Sequence, residues 1–147
     1  MRFLTLSLLL IILSACGRSA TDPEEMLRAW VARGEAAAEA RDRDDLLDLI
    51  SEDYVDSRGN DRNQIGDILR LYFLRQQSIA LLTGIDEITV FGETAAKVRA
   101  TVGMAGTNTG DWGFRADAYQ FELELHKPDD EWLLIGARWG ELSGELR

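Results

Sequence analysis

The chain has 147 residues, 46% of them hydrophobic and 29% charged, a composition that suits one globular domain. Its formal net charge of -10 repels nucleic-acid phosphates and argues against a polybasic membrane-surface patch. One cysteine excludes an internal disulfide, and one histidine beside it leaves no zinc site of the usual histidine and cysteine type.

The chain opens on Met1-Arg2, and Phe3 to Leu13 is apolar apart from Thr5 and Ser7. That run is shorter than the roughly 20 residues of a membrane span. It fits the ~7–15-residue apolar region of a secretory signal. Leu13-Ser14-Ala15-Cys16 then resembles the lipobox of bacterial lipoproteins. The resemblance implies that residues 1–15 are a signal peptide, that the Cys16 thiol carries a diacylglycerol, and that the bilayer is held through it. Ordinary cleavage after Gly17 is the alternative, and it would give a free periplasmic protein. Gly17 stands where aspartate retains many enterobacterial lipoproteins in the inner membrane, so the resemblance implies an outer-membrane lipoprotein facing the periplasm. Residues 16–23 read as lipidated cysteine and polar tether, and residues 24–147 as the domain.

Asp22-Pro23-Glu24-Glu25 predicts a helix start, with Asp22 as cap, Pro23 in the first turn and Glu25 at the capping-box position. Leu27, Trp30, Val31, Gly34, Ala37 and Ala38 follow at helical spacing. Asp44 is expected to cap a short second helix carrying Leu46, Leu47, Leu49 and Ile50. A turn at "YVDSRGND" leads to a third helix, capped by Asp61 with Gln64 at the box position, whose apolar stripe is Ile65, Ile68, Leu69, Tyr72 and Phe73.

After Gln77 the period changes to alternation. "SIALLTGIDEITVF" reads as a strand with a bulge at Gly84, and "AAKVRATVGMA" as its hairpin partner. "GTNTGDWG" is a glycine-rich loop holding Trp112. "FRADAYQFELELH" alternates again, and "WLLIGARW" ends the sheet. In that last strand Trp132 and Leu134 are expected on one face, and Leu133, Ile135, Ala137 and Trp139 on the other. Both faces would be apolar, so a chain terminus or a second copy of the protein would have to cover one of them. Helices followed by strands give an α+β class: three N-terminal helices packed on an antiparallel sheet of four or more strands.

This order, with "LLDLISEDYVD" before the third helix and a closing "EWLLIGARWGEL", resembles the nuclear transport factor 2-like superfamily over roughly Glu24 to Leu142. The resemblance implies a cone, in which a strongly curved sheet wraps around the helices and leaves a pocket at its wide end. It also implies a range of uses, from ketosteroid isomerase-like enzymes, polyketide cyclases and dehydratases to ligand binders and interaction domains, many of them dimerising through the sheet. Carried over residue by residue, the isomerase tyrosine falls on Gly34. The aspartate base falls near Asp56, and the second acid has no counterpart near Gln120. Asp56 also precedes Arg58-Gly59-Asn60, where a carboxylate caps a turn.

His126, on the polar side of its strand beside a turn, is expected to be a solvated surface residue. No nucleophile elbow, calcium loop or phosphate-binding glycine loop accompanies it. The reading is therefore a membrane-anchored periplasmic lipoprotein that binds a small apolar ligand or an envelope protein without catalysis or cofactor, with a homodimer through the sheet as a further partner state. Candidate ligand contacts are Trp30, Tyr54, Asp56, Tyr72, Trp112 and Tyr119. The alternative is an isomerase- or cyclase-like enzyme with Asp56 as general base.

Overall fold

The computed structural model describes residues 22–108, 114–142, 144 and 146; Cys16 and Trp112 lie outside the described residues. Three helices, α1 (Pro23–Ala40), α2 (Arg43–Asp48) and α3 (Arg62–Arg75), precede four strands, β1 (Gln76–Phe91), β2 (Ala95–Asn108), β3 (Phe114–His126) and β4 (Leu133–Glu141). The strands form one antiparallel sheet in the order β1-β2-β3-β4. The architecture is α+β, with the helices on an open sheet.

Local chemistry sets the helix ends. The Asp22 carboxylate accepts the Glu24 N–H at 3.1 Å, and Asp61 and Gln64 form a full reciprocal capping box. α2 is capped by Asp42 rather than by Asp44: its carboxylate accepts the N–H groups of both Asp44 and Asp45. The reason lies upstream. Arg41 closes α1 in the left-handed region at φ 56°, and the following Asp42 N–H reaches back to the Ala37 carbonyl. That brings the chain out of α1 with Asp42 already at the start of the next turn. Two arginines then fasten α2 to α3: Arg43 Nε donates to the Gly66 carbonyl, and Arg62 donates to the carbonyls of Leu47 and Ile50.

The core sits where α1 and the segment after α2 meet one face of the sheet. Leu27, Val98 and Leu125 are fully buried, with Tyr54, Ala96, Trp132, Leu134 and Ala137 around them. The register carries this face along the strands: Ala96 pairs with Leu125, Val98 with Leu123, Ala100 with Phe121 and Val102 with Tyr119.

Two expectations for the sheet are corrected. Gly84 pairs regularly with Thr101, and the irregularities of β1 fall instead between Gln76 and Ser78 and between Ile85 and Glu87. In β4, Leu125 pairs with Leu134 but Glu124 pairs with Gly136, so Ile135 is an extra residue. The bulge shifts the phase. Leu134, Ala137 and Trp139 therefore share the core face, opposite Leu125, Leu123 and Phe121. Residues 49–57 lie along the free edge of β4, where the N–H groups of Ser51, Val55 and Ser57 donate to Leu134, Ile135 and Ala137. The strand is thus not apolar on two independent faces.

The opposite face of the sheet divides in two. At one end Lys97, Glu122, Glu124 and Arg138 form an ion-pair ladder, with Arg99 paired to Glu87. At the other end lies a hollow of about 410 Å³ lined by Ala80, Leu82, Gly103, Ala105 and Ala118 among others, with Leu82 80% exposed. The Arg138 hydrogen bond, opposed by burial and aided by Lys97, holds the Glu122 carboxyl below its ordinary value of 4.5. A depressed carboxyl contributes stability that is complete above the unfolded value and is lost as pH falls through the folded one. Glu122→Gln is expected to unfold more easily at neutral pH, with the gap from the unmodified chain closing in acid below about pH 4. Denaturant titrations across the acid range measure it.

Candidate functional site

The face that carries the core continues past it. From the Ala96–Leu125 row to the Val102–Tyr119 row is six residues along β2, about 20 Å. At that far end, beyond the buried cluster, stand Val102, Met104, Tyr119 and Asp117, the last paired with Met104. α3 brings Tyr72 to the same place. Burial raises the Tyr72 hydroxyl above its ordinary value of 10.0, and the neighbouring Tyr119 and Asp117 push it further. Tyr72 is 38% exposed and Asp117 is exposed, so this cluster is open to solvent where the core is not. Phe73 stands beside Tyr72, with ring centroids 6.2 Å apart. Ile68, Leu71 and Leu74 of α3 leave further apolar surface uncovered.

Two phenols and a carboxylate on an otherwise apolar surface can donate to and accept from the polar group of a ligand whose body packs on the hydrophobic residues. Between this cluster and the core lies the Phe121–Trp139 row, and the Arg58 guanidinium sits 4.4 Å from the Trp139 ring centroid.

Of the sequence candidates, Tyr72 and Tyr119 come together. Tyr54, Trp30 and Asp56 sit apart from them. Tyr54 is 2% exposed inside the core, and burial first, then the Asp56 charge, raises its hydroxyl well above the usual phenol range. Trp30 packs against the core cluster from α1. Asp56 is 6% exposed and engaged in its own turn: Oδ1 accepts the N–H groups of Arg58 and Asn60, each at 2.9 Å, and Oδ2 accepts the Asn60 amide at 2.9 Å. Those bonds shape the loop that carries Arg58 to Trp139.

His126 corrects another expectation. It is half-buried, and its Nε2 is out of water with no partner among the described residues. The end of β3 is flanked on both sides, by Ala95 and by Leu133, which is why a residue beside a turn is not solvated.

Asp117, Trp139 and Arg58 are the members of this region that sequence reasoning missed. The signal for Asp117 was present: Tyr119, Phe121, Leu123 and Leu125 alternate onto one face, and stepping back two residues places a carboxylate on it.

No protein-family model matches the chain, and no curated protein matches it. Solved structures do. A ketosteroid isomerase-like protein from Erwinia carotovora atroseptica superposes with a TM-score of 0.70 at 14% identity, over 84% of this chain and 99% of that one. A candidate scytalone dehydratase from Novosphingobium aromaticivorans gives 0.72 at 15% identity, over 84% and 89%. A candidate dehydratase of the nuclear transport factor 2-like family from Streptomyces avermitilis gives 0.69 at 13% identity, over 82% and 97%. At these identities the likeness shows the fold, which hosts isomerases and dehydratases among the neighbours and leaves both binding and enzymatic roles open to it. Among the described residues no helix is long and apolar enough to cross a membrane.

Proposed function

We propose that this chain is an envelope lipoprotein, anchored through Cys16, whose nuclear transport factor 2-like domain binds a small, largely apolar molecule at the open end of its core face. The observation that carries the reading is the meeting of Tyr72, Tyr119 and Asp117 on apolar surface beyond the packed core. The ligand it suits has a hydrophobic body and one hydroxyl or carbonyl group. Catalysis through Asp56 is the weaker reading, because the carboxylate is buried and hydrogen bonds from Arg58 and Asn60 tie both of its oxygens to its own turn.

The test is native mass spectrometry of the chain from Gly17 to Arg147 purified from the periplasm. Extra mass that is lost on denaturation is expected. Tyr72→Phe combined with Tyr119→Phe is expected to weaken retention about tenfold, since two neutral hydrogen bonds are lost while the rings stay. A bare chain with no retained molecule overturns the binding reading. The same spectra report assembly. Leu82 projects beside a hollow of small residues on its own sheet face, a knob and a hole that suit a twofold contact between identical copies. The anchor is tested separately: Cys16→Ser is expected to move the protein from membrane to soluble fraction.

A further inference from the structure

The two ends of the domain differ, and α1 runs from one to the other. Near its start, Met26, Ala29 and Trp30 share a groove with Asp130, Glu131 and Trp132 of the turn before β4. At its finish, the Glu39 carboxylate accepts the Leu81 N–H at 2.8 Å, and the Arg41 guanidinium donates to the Gln76 carbonyl at 2.8 Å. Leu81 pairs with Met104, and Met104 with Asp117, so α1 ends at the rows that carry the Tyr72–Tyr119 cluster. Asp22, at the head of α1, therefore lies at the opposite, turn end of the sheet. The β1–β2 turn belongs to that end as well, since Phe91 pairs with Ala95 and Ala95 with His126.

Lengths decide what an anchor at Cys16 permits. The 18 residues of α1 span about 27 Å. From the Ala95–His126 row to the Met104–Asp117 row is nine residues along β2, about 30 Å. Only six peptide units separate Cys16 from Asp22, and no conformation of six residues reaches beyond about 22 Å. A domain held at Cys16 therefore cannot invert: pressing the Tyr72–Tyr119 end onto the bilayer would require those units to run back past the whole of α1. Charge opposes lying flat on the helices. Asp42, Asp44, Asp45, Asp48, Glu52 and Asp53, in and around α2, are all exposed and would be pushed against anionic headgroups.

We propose that the anchored domain stands with its turn end toward the bilayer and its open end directed away. A ligand then reaches the Tyr72–Tyr119 cluster from the aqueous side and not from the leaflet that holds Cys16. This orientation rests on anchoring through Cys16, so the test separates the two.

Glu93 is exposed in the β1–β2 turn, and Gln77 is exposed at the open end, where Gln76 pairs with Asn108. With the Cys16 thiol acylated, a cysteine introduced at either position is the single free thiol of the full lipidated chain. The probe is a maleimide fluorophore on Glu93→Cys or Gln77→Cys, with a headgroup-labelled acceptor lipid in vesicles of phosphatidylethanolamine and phosphatidylglycerol. Energy transfer is expected to be at least about threefold stronger from Glu93→Cys, because the two ends of the sheet lie about 40 Å apart. Inserting about 20 glycine and serine residues after Ser19 lets the tether average about 25 Å and reach well beyond α1, and is expected to narrow the difference. Equal transfer at native tether length, or stronger transfer from Gln77→Cys, overturns the orientation. A difference unchanged by the insertion overturns the tether as its cause. A chain that does not float with the vesicles overturns the anchor itself, a failure distinct from either.

Discussion

Asp56→Ala is expected to lower the unfolding free energy by about 3 kcal/mol, read as a shift in the denaturant midpoint at unchanged slope. The carboxylate is buried and accepts two backbone N–H groups and a side-chain amide, all at 2.9 Å. Hydrogen bonds to a charged acceptor contribute about 1.5–3 kcal/mol each, and removing the acceptor leaves the Arg58 and Asn60 N–H groups to find water. Part of the loss is recovered because residues 57–60 are largely exposed. Asp56→Asn keeps an oxygen at Oδ1 for the two backbone donors and is expected to cost about half as much. The pair also discriminates between roles. A structural carboxylate gives this graded loss of stability, with Arg58 released from Trp139. A catalytic base would show Asp56→Asn with native stability and no turnover.

Leu27→Ala is expected to cost about 3–4 kcal/mol, a large share of the 5–15 kcal/mol that holds a domain of this kind. Leu27 is 0% exposed and belongs to the cluster with Val98, Leu125 and Trp132, where α1 lies on the sheet. Truncation removes the transfer free energy of the side chain and leaves a cavity bounded by strands that cannot collapse into it. Because that cluster is remote from Tyr72 and Tyr119, ligand affinity in the fraction that stays folded is expected to be unchanged. A midpoint shift under half the stated size would mean that the core is less tightly packed around α1 than the burial implies.

The parts of the fold that rest on neighbours in sequence were legible. Asp22 and the Asp61–Gln64 box satisfy N–H groups two or three residues away, so residue type and spacing were enough. The strands β2 and β3 announced themselves by alternation, and helices before strands gave the α+β class. Tyr72 and Tyr119 could be named individually as candidate contacts. Their meeting could not be read, since it joins a helix to a strand 47 residues later in the chain through the sheet register.

The features that local pattern does not reach share one physical reason: each turns on a partner distant in the chain. Alternation alone divides the apolar residues of β4 between two faces, because it admits no extra residue. The bulge at Ile135 exists because the partner strand and the edge segment 49–57 fix the register from both sides. His126 is half-buried because Ala95 and Leu133 flank it. The residues around Asp56 favour a turn cap over a base, and the bonds from Asn60 that place it in the turn come only with the folded loop. Local bonding and periodicity dictate the starts of α1 and α3, the strands and the α+β class, and these are written in the sequence. Packing determined the faces, the register and the grouping of the site, because burial is a property of what comes to lie opposite.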